Sequence, residues 1–478
     1  MAESNISDEQ RSHARLVLWQ VSLGLVLVAI NHRAIQVALP TLTHVFHTDL
    51  SFIQWVLLVY DLAVIGLVLT LGRLGDLFGR KWIYIFGFLL FVVASLLCGA
   101  AQTSGQLIAF RVLQGIAGAM IMANGRALVT INVPVAERGK ALGLTSMAFH
   151  VGYIAGPTLG GFIIDTLGWR WIFYVTIPIA LASAYFGWRV LKERPRSATK
   201  IKVDFAGAGL LVLANTCFIY ALNQLPHLGW RHPSVWSFFI VSLASLAGFI
   251  RTEQRAETPI LSLSLFRERL FTAGNLSLFF ITATQSAISV LIPFYLQNLI
   301  GLTPTQMGWI IIGSSAVIIL VAPLAGWLSD RLGSRLLCSV GAAIIIVGQY
   351  LIGELTLHSS IFQMVLPQLL IGLGWALFNS PNQSAILSTV PRDKVGAASG
   401  MTVTTARIGG AIGIALSGAI MTYALAAYGL TPEQIETPDA WATSPNVFLD
   451  SFKFTVHFIN AFALLSVLFA LLRGGQKS

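Results

Sequence analysis

Apolar positions run through this chain in long blocks broken by short polar stretches, and neither the two-residue alternation of a half-buried strand nor a narrow helical stripe dominates. Blocks fall at about 16–39, 51–71, 81–101, 106–130, 141–164, 170–191, 204–223, 234–251, 272–299, 306–328, 336–355, 361–385, 398–424 and 453–473. Each is long enough, at ~1.5 Å per residue, to cross about 30 Å of hydrocarbon as a helix. The pattern predicts an all-α membrane protein with fourteen transmembrane helices.

Composition agrees. Of 478 residues, 55% are hydrophobic and 10% are charged, against roughly 25% charged in a soluble chain. Of the 30 Lys and Arg, 23 lie in the N-tail, the even-numbered loops and the C-tail, which predicts that both termini are cytoplasmic. The net charge of +10 would suggest nucleic acid in a soluble protein. Here it sits in short loops such as "RVLKERPRSATKIK" (189–202) and points to anionic membrane lipids instead, with no nucleic-acid partner. Residues 1–15 lack the features of a cleaved signal, so the first span is expected to be a retained anchor. Cys98, Cys217 and Cys338 have no metal-type spacing and read as packing residues.

The loop "GRLGDLFGRK" (72–81) and the loop "GWLSDRLGSR" (326–335) both fit G-x-L-x-D-x-x-G-x-[RK]. Repeats in matching positions imply two homologous bundles. The copies lie eight helices apart, so the expected arrangement is 6+2+6. It comprises a tail (1–15), a six-helix bundle (16–191), a basic linker (192–203), an inserted pair (204–251), a second linker (252–271), a second six-helix bundle (272–473) and a tail (474–478). In each loop the glycines permit a tight turn. The acids Asp76 and Asp330 and the bases Arg80, Lys81 and Arg335 are candidates for latching the bundles, with Gly72, Gly75, Gly79, Gly326 and Gly333 as the turn residues; a plain solvated turn is the alternative.

On these motifs the chain resembles the major facilitator superfamily, and within it the branch of fourteen-helix drug:proton antiporters, from about residue 16 to 473. The first loop is similar to the superfamily's signature loop, "LIAFRVLQGIAGA" (107–119) to its fourth-helix arginine motif, and "GWRWIFYVTIPI" (168–179) to a branch element in which Thr176 stands where Asn is usual. Gly143, Gly152, Gly156-Pro157 and Gly160-Gly161 reproduce the branch's antiporter pattern G-x8-G-x3-GP-x2-GG. The resemblance implies the major facilitator fold, with this fifth helix as a gate or pivot. Physically, glycines four apart leave a groove for another backbone and Pro157 permits a bend, and small-residue packing alone would also account for them.

Asp61 is the sole carboxylate in the interior of any predicted span. Intramembrane charge is costly and commonly functional, so Asp61 is the first candidate for proton coupling; a static ion pair with Arg33 or Arg111 is the alternative. Arg111, too deep to reach the membrane surface comfortably, needs a buried partner, for which Asp61 is the candidate. Arg126, near the surface, reads as snorkelling. His150, beside the glycine groove, is a further titratable candidate; His32 and His457 are weaker ones. The branch's first helix usually carries L-D-x-T-I-V-N-V-A-L-P, and alignment on "VALP" puts Asn31 in place of the acid, Arg33 in place of Thr and Gln36 in place of Asn. Asn31 and Arg33 project about 200° apart and cannot face one cavity, whereas Arg33 shares a face with Gln36. Asn31, Arg33, Gln36, Gln114 and Arg407 are the candidate substrate-cavity residues, with the helix bearing Arg407 expected beside the second helix.

No nucleophile elbow, zinc-protease motif or phosphate loop is present in the sequence, so no enzyme is expected. The leading expectation is a secondary antiporter in the cytoplasmic (inner) cell membrane that expels drug-like amphipathic compounds, driven by the proton gradient without a cofactor. Its site would lie between the bundles. The alternatives are an exporter of an anionic metabolite, siderophore-like compound or lipid held by Arg33 and Arg111, and a non-transporting sensor of transporter fold. In a two-membrane bacterium the resemblance leaves room for a periplasmic adaptor.

Overall fold

The computed structural model describes residues 8–133, 138–191, 205–229, 231–255, 263–390, 395–431, 434 and 444–473, almost all of them helical. In chain order the helices are α1 (Asp8–Phe46), α2 (Leu50–Ile53), α3 (Trp55–Phe78), α4 (Arg80–Ala100), α5 (Ser104–Asn132), α6 (Arg138–Leu167), α7 (Trp171–Tyr174) and α8 (Thr176–Val190). They continue with α9 (Phe205–Leu228), α10 (Pro233–Arg255), α11 (Arg269–Phe294), α12 (Pro304–Leu332), α13 (Ser334–Gly353), α14 (Ile361–Ser388), α15 (Val395–Ala427) and α16 (Pro445–Leu471). Thirteen stretches among the described residues are long and apolar enough to cross a membrane. The apolar part of α9, Gly209–Leu225, is shorter.

Several boundaries depart from the apolar pattern for identifiable reasons. α1 passes through Pro40 without ending, and Thr43 Oγ1 donates to the Pro40 carbonyl at 2.6 Å, tying down the turn after the proline. The expected sixth span is interrupted at Val175, where Thr176 Oγ1 donates back to the Phe173 carbonyl at 2.6 Å. α11 gives way after Pro293 to a wider π turn over Tyr295–Leu299. α16 starts at Pro445, eight residues before the expected span, because proline at a first-turn position costs no hydrogen bond and Lys453 is carried inside the helix. Capping boxes at Thr303 with Gln306 and at Ser360 with Gln363 fix the starts of α12 and α14.

The two loop repeats take the same shape. Gly79 (φ 99°) joins α3 to α4, and Gly333 (φ 81°) joins α12 to α13, a conformation that only glycine adopts without strain. Gly72 and Gly326, expected as turn residues, lie inside α3 and α12, where a Cβ on Gly72 would stand 3.7 Å from the Ala123 Cβ of α5 and one on Gly326 3.8 Å from the Ser380 hydroxyl of α14.

Helices α1, α3–α6 and α8 pack on one another, as do α11–α16; α9 and α10 form a pair, with α9 seated on both α3 and α15. The two larger groups meet at one end, here termed the closed end. There Ser51 and Thr422 share a hydrogen bond of 2.8 Å, Gln54 Nε2 donates to Ser417 Oγ at 3.2 Å, and Gln297 Nε2 donates to the Val37 carbonyl at 2.9 Å. Asp165 on α6 accepts from the Thr305 amide in the first turn of α12 at 2.8 Å.

The α6 glycines explain how the helices come so close. A Cβ on Gly152 would stand 2.6 Å from the Val26 carbonyl, and one on Gly160 2.7 Å from the Ala34 Cβ, both on α1; Gly161 instead presses on the Pro304 carbonyl of α12. Gly160→Val is therefore expected to push α6 from α1 and cost about 1–3 kcal/mol, whereas Gly105→Ala, with nothing within 4 Å, should be near neutral. Thermal unfolding in a mild detergent checks this; equal midpoints for the two variants would refute the close-packing account.

Candidate functional site

Away from the closed end the two groups diverge around a cavity of about 300 Å³. α1, α3, α5 and α6 supply Val28, Ala29, His32, Arg33, Asp61, Met122, Phe149 and Tyr153 to its wall. The facing wall from α11, α12, α14 and α15 is rich in uncharged polar groups, among them Gln285, Ser315, Asn379 and Gln383. A second, smaller chamber of about 50 Å³ continues toward the closed end and is lined by Arg33, Gln36, Pro157, Gln285 and Gln368 among others.

One ion pair crosses from group to group at the cavity. Arg407 Nη1 on α15 donates to Asp61 Oδ1 on α3 at 2.5 Å, with Asp61 5% exposed. The Sδ of Met122 lies 3.6 Å from the other guanidinium nitrogen. His32 Nε2 stands 3.9 Å from Asp61 Oδ2, with its ring 5.5 Å from that of Tyr60. The partner expected for Asp61 was Arg33 or Arg111; it is Arg407, because the register of α15 against α3 brings that guanidinium across. His32 was set aside in the sequence, although it lies four residues after Val28, three after Ala29 and four before Gln36, on the face that lines the two chambers.

Arg111 is fully buried and does not line the cavity. Its Nε donates to the Val56 carbonyl at 2.9 Å, and its Nη1 to Asn31 Oδ1 at 3.2 Å and to Gln114 Oε1 at 2.5 Å; its guanidinium carbon lies 4.4 Å from the Tyr60 ring centre. Gln114 passes the network on to Ser95 Oγ at 2.8 Å, which lies 3.3 Å from the Thr176 hydroxyl, whose own proton goes to the Phe173 carbonyl. Asn31 and Gln114, expected on the cavity wall, are instead held inside the first group of helices by Arg111. That correction also removes Arg111 from any direct contact with cargo.

Arg33 does face the cavity, opposite in direction to Asn31. It donates to Gln36 Oε1, and its guanidinium carbon lies 4.2 Å from the Tyr153 ring centre. Pro157 borders the smaller chamber, and a Cβ on Gly156 would collide with the Cβ of Arg33, so the glycine groove and the cavity arginine share one contact.

The expected latch is placed only in part. Lys81 Nζ donates to the Trp188 carbonyl of its own group at 2.9 Å, and Arg335 is exposed. Arg80 lies at the start of α4, and a Cβ on Gly75 would strike Asn124 of α5. The side chains of Asp76, Asp330, Arg126 and His150, and the surroundings of Gly143, lie outside the described residues. Among the described residues no cluster suited to a metal ion is found.

Known proteins bear on this geometry. The family model described as Major Facilitator Superfamily matches residues 21–268 and 274–430. Riboflavin transporter RibZ of Clostridioides difficile (strain 630) is 30% identical over 400 residues, covering 84% of this chain and 86% of that protein. Multidrug resistance protein Stp of Mycobacterium tuberculosis (strain CDC 1551 / Oshkosh) is 29% identical over 413 residues, 86% of this chain and 76% of Stp. Among solved structures, a bacterial homolog to the human lysosomal transporter Spinster, inward-facing and unoccupied, superimposes with a TM-score of 0.71 at 17% identity and covers 98% of each chain. That likeness establishes the fold.

Because Arg111 carries a buried charge whose hydrogen bonds go to neutral acceptors, Asn31→Asp should supply a charge-assisted partner and raise the thermal midpoint. Arg111→Gln should lower it by roughly 2–4 kcal/mol of stability. Unfolding scans of the two variants in detergent check this, and a destabilised Asn31→Asp would contradict the network as described.

Proposed function

The chain belongs to the Major Facilitator Superfamily and is a multi-pass membrane transporter, not an enzyme, and on that footing we propose that it is a proton-coupled antiporter exporting amphipathic organic compounds. The observation that carries this reading is the Asp61–Arg407 pair at the cavity. Asp61 is the carboxylate among the described lining residues, and its partner belongs to the opposite group of helices. A proton taken up there cancels a charge and weakens an ion pair that joins the groups across the cavity. Proton binding is thereby linked to their relative position, which is what coupling by alternating access requires.

In this reading fourteen helices cross the cytoplasmic membrane as six, two and six, α9 and α10 forming the inserted pair, with both termini cytoplasmic. The closed end then faces outside, and the cavity opens to the cytoplasm with Asp61 ionised and paired. Cargo enters from that side. After the groups rock, Asp61 takes a proton from outside, Arg407 is released, and the neutral carboxyl allows return with the cargo site empty. Re-formation of the pair on the inner side expels the proton. The branch of fourteen-helix drug antiporters fits this cycle, and the similarity to Stp, a multidrug resistance protein by name, supports the export direction. Asn31, where that branch usually has an acid, leaves the coupling to a single carboxylate.

Asp61→Asn in proteoliposomes is expected to abolish substrate-driven proton movement while the protein remains folded and binds cargo. Arg407→Lys should retain part of the flux, since it preserves the charge but not the forked geometry. Full proton flux in Asp61→Asn would overturn the reading.

A further inference from the structure

The chamber next to the closed end carries an electrostatic feature that the antiport cycle does not use. Among the described residues lining the larger cavity, the side chains with a charge or an imidazole are His32, Arg33, Asp61 and Arg407. Asp61 and Arg407 satisfy each other at 2.5 Å. That leaves Arg33 as a full positive charge on the wall, hydrogen-bonded only to the neutral Gln36 and laid against Tyr153 at 4.2 Å, with its Nε making no hydrogen bond.

Arg33 also stands at the junction of the two chambers. Across from it, Gln349 Nε2 donates to Gln285 Oε1 at 3.2 Å, which engages the carbonyl oxygen of that amide and leaves its NH2 group for a ligand. Ser289 and Ser314 donate their hydroxyl protons to the Ser286 and Ile311 carbonyls, at 2.8 and 2.9 Å, so they present oxygen lone pairs to the chamber. The junction is therefore built of one cation, one amide donor and two accepting hydroxyls. Toward the open side the larger cavity offers Met122, Phe149, Ile318 and Trp375, a surface for an apolar or aromatic body.

We propose that the cargo is an amphipathic organic anion whose oxyanion is held at the chamber junction by Arg33 and the Gln285 amide, with its apolar body in the larger cavity. This rests on the export reading above and narrows its substrate class. A carboxylate, sulfonate or enolate oxygen fits the two donors, and an adjacent hydroxyl or N–H fits Ser289 and Ser314. Arg111 takes no part, being enclosed within its own group. Because Arg33 belongs to α1 and Gln285 to α11, the bound headgroup bridges the two groups of helices. Lipophilic cations meet the uncompensated charge of Arg33 and are disfavoured.

The test is binding to the full-length protein in an uncharged detergent at fixed salt, read as saturable quenching of tryptophan fluorescence. The probes are an aromatic sulfonate, 2-(p-toluidino)naphthalene-6-sulfonate, and the cation tetraphenylphosphonium. We expect the sulfonate to bind more tightly than the cation, to lose roughly 10- to 100-fold in Arg33→Gln and to keep most of its affinity in Arg33→Lys. Cation binding in Arg33→Gln should be unchanged or tighter, which also shows that the variant is folded. Equal sulfonate affinity in wild type and Arg33→Gln, a preference for the cation, or no saturable sulfonate binding would each overturn the assignment. The outcome is separable from that of the antiport reading. Arg33-dependent binding without Asp61-dependent proton flux would sink antiport and keep this site. The converse result would sink the site and keep antiport.

Discussion

The arrangement of this molecule turns on bringing one carboxylate and one guanidinium together between two groups of helices inside a membrane. Each of these charges is costly to hold at that depth, and at 2.5 Å the pairing offsets part of the cost of both. The surrounding helices are shaped for the encounter. α15 lies close on α11 because a Cβ at Gly409 would meet the Phe279 carbonyl at 2.6 Å and one at Gly413 would clash with the Ala283 carbonyl. α9 seats on both α3 and α15, the helices that carry the pair, so the seam on that side is backed by a further helix. On the opposite side of the cavity the groups close through α6 and α12, where Gly308 admits the backbone of Thr158.

Arg111 shows the other way to keep a charge in such an interior. It gives its Nε and Nη1 protons to a backbone carbonyl and two side-chain amides, leaves Nη2 without a hydrogen-bond partner among the described residues, and lays its plane near the Tyr60 ring. This spreads the charge over neutral dipoles without neutralising it. The positive potential remains and acts on neighbouring helices, including the carboxylate of Asp61, one residue on from Tyr60. Replacement of an acid by Asn at position 31, judged against the branch that the first helix resembles, thus leaves the hydrogen bond in place and moves the charge balance of the cavity toward positive.

Much of this was legible in the sequence, and the gaps have a common physical origin. Apolar length gave the helices, since any backbone in hydrocarbon must satisfy its own hydrogen bonds. The repeated loop pattern anticipated Gly79 and Gly333, because a left-handed φ leaves few alternatives to glycine. Asp61 stood out through its isolation. Its partner did not, because depth along a helix follows from counting residues while rotation and neighbour depend on packing from elsewhere in the chain. The same limit put Gln114 and Asn31 on the cavity wall when they serve Arg111. Opposed directions of Asn31 and Arg33, by contrast, follow from the 100° step of a single helix and needed no tertiary information. His32 ranks in the sequence as one of the weaker titratable candidates, and its neighbour Asp61, 3.9 Å away, comes from another helix.

The cavity is chemically uneven in a way that fits a division of labour. Among the described lining residues, His32, Arg33, Asp61 and Tyr153 come from the first group of helices. The facing wall, Arg407 apart, offers amides and hydroxyls such as Gln285, Ser315, Asn379 and Gln383. Neutral polar groups grip a ligand by geometry without competing for its charge or for a proton. Charged groups respond to both. In the antiport cycle proposed above, a wall that changes charge opposite a wall that does not would let proton occupancy alter the hold on one face of a cargo while contacts on the other persist. Release then requires only that the first face lose its electrostatic match. With one carboxylate and one cation reaching across, that match depends on whether Asp61 and Arg407 are joined or apart.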